Sequence, residues 1–153
     1  MTRVDFYILP EQGGSDPLSA AVRLCDKAAA AGHRLYVTAS DPARLDALGD
    51  LLWTQRQGSF LAHERYLHSA PVEPLPQVLI GEREPPEGWQ DILLTLCAEV
   101  PSYFSRFERV LEIVPGDAES RARCRERFKF YRERGYELRS FEQTAEGGWK
   151  QKV

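Results

Sequence analysis

The chain has 153 residues, 42% of them apolar, with aromatic side chains spread from Phe6 to Trp149, which is enough to fill one core and too little to divide among several. Its 20 Lys and Arg against 23 Asp and Glu leave a net charge of −3, which argues against a protein whose main task is gripping a phosphate backbone, so any nucleic-acid role is expected to be indirect. Cys25, Cys97 and Cys124 are far apart and lack C-x-x-C spacing, MTRVDFYILP lacks a signal-peptide core, and no apolar run approaches the roughly 20 residues of a membrane span; a cytoplasmic protein with reduced thiols is expected.

Val4 to Leu9 (VDFYIL) is β-rich and is broken by Pro10-Glu11-Gln12-Gly13-Gly14. Ser15 or Asp16 can cap a helix with Pro17 in its first turn, and Leu18 to Ala31 repeats Ala and Leu at helical spacing until Gly32. Arg34 to Ala39 returns to a strand pattern and completes a βαβ unit. Ser40-Asp41-Pro42 starts a second helix, Ala43 to Trp53, with Leu45, Leu48 and Leu52 near one face. Residues 57–77, interrupted by Pro71, Pro74 and Pro76, are predicted to be largely irregular before a short strand at Gln77 to Ile80 and a Pro-rich loop from Gly81 to Gly88. Asp91 to Leu96 and Arg109 to Val114 read as strands, with a short helix or turn at Pro101 to Phe107 between them.

Asp117 to Gly135 reads as one capped helix. Asp117 can accept from the first free N–H groups, Glu119 suits the positive end of the dipole, Arg132 and Arg134 suit the last turn, and Gly135 can take the left-handed position beyond it. Residues 118–134 hold seven Lys or Arg against three Asp or Glu, so the chain's positive charge is concentrated here. Cys124, Phe128 and Tyr131 share a stripe, with Arg121, Arg125, Lys129 and Arg132 along its edge and Phe128 at the border. A solvated Arg-rich face and a binding site both fit this pattern. Tyr136 to Phe141 completes the domain as a final strand, and residues 142–153 are expected to form a loosely ordered tail with a possible anchor at Trp149. Alternating strands and helices imply a single α/β domain over residues 1–141, with a largely parallel central sheet covered on both faces.

Chemical motifs are sparse. The loop at Gly13-Gly14 lacks both G-x-G-x-x-G and the P-loop Gly-Lys-Ser/Thr, and His63 and His68 are not at ligand spacing. No G-x-S-x-G elbow is present, Cys97 and Cys124 read as core residues, and no carboxylate pair stands out as an acid and base set. No catalysis, cofactor or metal is expected. Trp53 and Phe60, at a helix end and in the adjoining loop, fit either the core or a partner surface.

Taken together, DFYIL, LDALGDLLW, SFLAH, FSRFERVLEIVP and RERFKFYRERGYEL resemble, in order and approximate spacing, the chi subunits of bacterial DNA polymerase III holoenzyme. The resemblance implies a Rossmann-like three-layer sandwich and a noncatalytic adaptor in DNA replication. It would bind the acidic C-terminal tail of single-stranded-DNA-binding protein and pair with the psi subunit, which connects chi to the clamp loader. The family's tail-binding positions fall on Val114, Arg121, Arg125, Phe128 and Lys129, with Arg132 as a neighbouring candidate. The psi-facing positions fall on Trp53 and Phe60, a patch that a repair helicase could also use. Relatives can carry Tyr and Lys where this chain has Phe128 and Arg121, which keeps the apolar and cationic roles and removes one hydroxyl. On this mapping Arg125 is expected to hold the tail's terminal carboxylate, Phe128 and Val114 to pack its terminal ring, and Arg121, Lys129 and Arg132 to attract its acidic stretch. The competing expectation is a module that binds single-stranded nucleic acid directly through the basic helix.

Overall fold

Apolar runs such as VLI and ILLT can be buried on both sides only in a sheet covered by helices on both faces. In the computed structural model, which describes residues 1–54, 61–67 and 69–152, each forms a strand flanked by others on both sides. The elements are β1 (Arg3–Ile8), α1 (Pro17–Ala30), β2 (Leu35–Thr38), α2 (Pro42–Thr54), β3 (His63–Arg65), β4 (Val78–Gly81), β5 (Ile92–Thr95), a 3-10 turn (Phe104–Arg106), β6 (Arg109–Val114), α3 (Ala118–Glu133), β7 (Glu137–Gln143) and β8 (Trp149–Gln151). The described strands form one sheet in the order β3-β4-β2-β5-β6-β1-β7-β8, parallel except for the β7–β8 pair. The predicted α/β sandwich is thus the observed architecture.

The two faces carry separate cores. Side chains of α1 and α2 pack with Tyr7, Leu35, Val37, Val78, Ile92 and Leu111 on one face. On the other, Cys124 and Tyr131 of α3 pack with Val4, Phe6, Tyr36, Leu93 and Val110. Helix α1 starts where Asp16 accepts from the Leu18 and Ser19 amides and ends where Gly32, at φ 93°, lets His33 N–H reach Ala28 O. Its buried face is largely alanine, which allows close approach to the sheet. In α2, Leu45, Leu48 and Leu52 are the buried residues, as their spacing predicts.

Two segments differ from the sequence prediction. Residues 63–65, within a stretch expected to be irregular, form an edge strand parallel to β4, too short to show a periodicity. The expected loose tail instead folds back: β7 runs on to Gln143 and pairs antiparallel with β8. Its turn is closed by Gly147 N–H to Thr144 O at 3.0 Å and Thr144 N–H to Gly148 O at 2.8 Å, with Gly147 at φ 89°. Trp149 does anchor it, its ring lying edge-on to Tyr7 at 5.1 Å.

Candidate functional site

Helix α3 is fixed at both ends by its own sequence. Asp117 Oδ2 accepts from Ser120 N–H at 3.0 Å. At the other end Gly135 sits at φ 81°, its N–H meeting Arg132 O and that of Tyr136 meeting Tyr131 O, while the Tyr131 and Tyr136 rings stand 6.4 Å apart. These bonds and the ring contact lock the helix's rotation, and therefore which cations face outward.

Arg127, counted among the basic residues of the helix, faces inward and is buried. Its Nε donates to Glu112 Oε1 at 2.8 Å and its Nη1 to Ala98 O at 2.8 Å, while the Tyr131 hydroxyl donates to Glu112 Oε2 at 2.8 Å. Burial raises the Glu112 carboxyl above the ordinary glutamate range despite Arg127 and Tyr131, and it raises the Tyr131 phenol as well. The sequence did carry a signal for this pair: Glu112 interrupts the apolar run RVLEIV, and Arg127 lies on the Cys124–Tyr131 stripe. A buried charge in such a place requires a partner.

Arg121 acts as a strut. Its Nε donates to Gly116 O at 3.1 Å and its Nη2 to Leu9 O at 3.0 Å, joining the loops that follow β6 and β1. Doubly wound folds open a ligand crevice where such loops diverge to opposite faces. Here they touch: a Cβ at Gly116 would lie 2.0 Å from Pro10 O, so only glycine fits.

The remaining predicted residues gather on one border of α3. Phe128 is half-buried, its ring 5.5 Å from that of Phe6, and the Arg132 guanidinium carbon stands 5.8 Å from its centroid. Lys129 is exposed, with Nζ 3.9 Å from Glu133 Oε1, a surface pair of small energetic weight. Arg125 is exposed, and its guanidinium makes no ion pair or hydrogen bond with another described residue. Val114, expected to touch a ligand ring, is only 1% exposed and supports Phe128's side of the core from beneath; half-buried Ile8, its neighbour across the sheet, offers the apolar surface there. The arrangement presents a half-exposed ring bordered by cations.

Trp53 lies elsewhere, at the end of α2 beside the β3 edge. It is 66% exposed, with its ring 5.2 Å from that of His63. That decides the core-or-surface question for Trp53; Phe60, like His68, lies outside the described residues. Of the thiols read as core, Cys124 is buried and pushed up to about 11 by burial, as Cys25 is to about 12, whereas Cys97 is only half-buried. Among the described residues no group of three or more His, Cys, Asp or Glu side chains could hold a metal ion, and no helix is long and apolar enough to cross a membrane.

A family model described as DNA polymerase III chi subunit, HolC, matches residues 1–139. The chain belongs to this family. A DNA polymerase III subunit chi of Pseudomonas aeruginosa is 37% identical over 138 residues, covering 90% of this chain and 94% of that one. The Escherichia coli K12 subunit is 31% identical over 147 residues, covering 90% and 96%, and that of Haemophilus influenzae 25% over 137 residues, covering 87% and 92%. The family membership expected from the sequence motifs is thereby shown, and with it a place among the accessory subunits of the replicative polymerase. The family match ends within β7, so β8 lies beyond it.

Proposed function

We propose that this chi-family chain is a noncatalytic cytoplasmic adaptor of the polymerase III holoenzyme. On this reading the α3 border takes the acidic C-terminal tail of single-stranded-DNA-binding protein, and the Trp53 surface takes psi and through it the clamp loader. The observation that carries the reading is exposed Arg125, without an ion pair or hydrogen bond to another described residue, near half-exposed Phe128, with Lys129 and Arg132 on the same border. A peptide ending in acidic residues, an aromatic ring and a free carboxylate needs an apolar seat and a guanidinium fork, because a desolvated carboxylate requires charge-assisted hydrogen bonds. The strut role of Arg121 modifies the expectation for it: two of its nitrogens already serve the loops, which leaves Nη1 for a ligand. Several tails on an oligomeric partner, together with the clamp-loader link, raise the effective concentration of an otherwise weak contact.

Fluorescence anisotropy of a labelled tail peptide tests this. Saturable binding is expected, weakened by salt, and reduced by about ten- to a hundredfold in Arg125→Ala, the size of one charge-assisted hydrogen bond. Removing the peptide's last residue should have a comparable effect. Absence of binding by the folded wild type defeats the reading, and retention of bare labelled oligonucleotides with a steep salt slope favours direct nucleic-acid binding instead.

The psi surface is tested separately. Trp53→Ala is expected to weaken capture of psi while leaving tail binding and the melting temperature nearly unchanged, because the removed ring is mostly in solvent. A drop in all three would make Trp53 a stabilising residue rather than an anchor.

A further inference from the structure

We infer that the β7–β8 hairpin forms a second wall of the α3 groove, with Ile8 as its apolar floor and Lys150 as a further cation for an acidic peptide. This rests on the tail-binding reading and adds an element to which that reading gave no role. The sheet register supplies the argument. Val114 pairs with Ile8, Ile8 with Glu142 and Glu142 with Lys150, so these four residues form one row across β6, β1, β7 and β8.

The face on which this row lies is fixed independently at both ends. Tyr7, Phe141 and Trp149 pack together on the α1 side, with Tyr7 and Phe141 stacked at 5.0 Å. Strand side chains alternate, so Ile8, Glu142 and Lys150 stand on the α3 side. Ile8 does pack there, against the core that includes Phe6, Val114 and Cys124. With strands about 4.8 Å apart, Lys150 stands about 10 Å from Ile8 along the row, with Glu142 of β7 between them.

The charges along this row favour an anion. Glu142 is the carboxylate in it, and Lys152 Nζ holds it at 3.2 Å. Lys150 is exposed and makes no ion pair with another described residue. By strand alternation it stands on the same side of the sheet as α3, the helix that carries Arg125 and Lys129, and adds a cation there. An acidic peptide with an apolar end would set that end on Ile8 and Phe128 and its carboxylates between the two cationic walls.

The test is tail-peptide anisotropy with Lys150→Glu, Lys150→Arg and Lys27→Glu, each checked by thermal melting. Lys27 is an exposed residue of α1, on the opposite face, so its reversal changes the net charge equally without touching the groove. Lys150→Glu is expected to weaken binding about tenfold, Lys150→Arg to match wild type, and Lys27→Glu to change it less than twofold. Equal effects of Lys150→Glu and Lys27→Glu, or none from either, would overturn the role of the hairpin while the Arg125 result stands. A wild type that binds no peptide overturns both readings together.

Discussion

Arg127→Ala is expected to destabilise the fold by about 3–5 kcal/mol, because it leaves the Glu112 carboxylate buried without its cation. Chemical denaturation should show the loss as a lower midpoint with little change in slope. The loss should also grow with pH. Burial already raises Glu112 in the wild type, and removing Arg127 raises it further. A carboxyl whose folded pKa lies above its unfolded value of about 4.3 contributes stability below that value and loses it as pH rises through the folded pKa. The difference between variant and wild type is therefore smaller at pH 5 than at pH 8. Combining Arg127→Met with Glu112→Gln removes both charges and keeps an acceptor for the Tyr131 hydroxyl, while Ala98 O, on an exposed residue, can turn to water. That double variant should recover at least half of the loss. If it is as unstable as Arg127→Ala, shape rather than uncompensated charge holds α3 to the sheet.

The limits of α3 were legible because its caps are local chemistry: Asp117 and Gly135 act within a few residues of where they stand. Arg121, Arg125, Phe128, Lys129 and Arg132 were legible as a border because helical spacing alone brings them together. Arg127 was legible only in part: its place on the Cys124–Tyr131 stripe is local, but Glu112, the partner that turns it inward, stands on another element. Asp5 in VDFYIL has the same character: a charge within a buried strand whose guanidinium partners come from both neighbouring strands. The end of the chain was hidden although its pairing is local. The turn signal Glu146-Gly147-Gly148 was present, but a three-residue strand has no periodicity to read, and only the sheet edge offered by β7 makes it a strand. Trp53 was ambiguous for a simpler reason: it follows Leu52 by one residue, and a rotation of 100° separates the buried face of α2 from its exposed one.

Asp5→Asn is expected to cost about 3 kcal/mol at neutral pH, the low end for breaking a buried ion pair. Asp5 is fully buried on β1, between β6 and β7. Arg109 Nε of β6 donates to its Oδ2 at 2.8 Å and Arg139 Nε of β7 to its Oδ1 at 3.1 Å, with Arg3 as a third cation. The cost stays at the low end because the three guanidiniums are roughly a third exposed and can recover water when the carboxylate is lost. Burial pushes the carboxyl up, but Arg139 and Arg109 overcome it and hold the pKa below the ordinary aspartate value. The sign follows: this stability is present above the unfolded pKa of about 3.9 and is lost as pH falls through the depressed folded value. Wild type and Asp5→Asn should differ most near pH 7 and converge as pH falls below about 4, so melting temperatures from pH 7 to pH 2.5 separate this from a general acid effect. Parallel profiles would mean that the arginines are held by packing alone. Since Asp5 ties β7 to β1, its loss should also speed amide exchange in β7 and, if the hairpin is a wall of the groove, weaken tail binding under conditions where the protein is still folded.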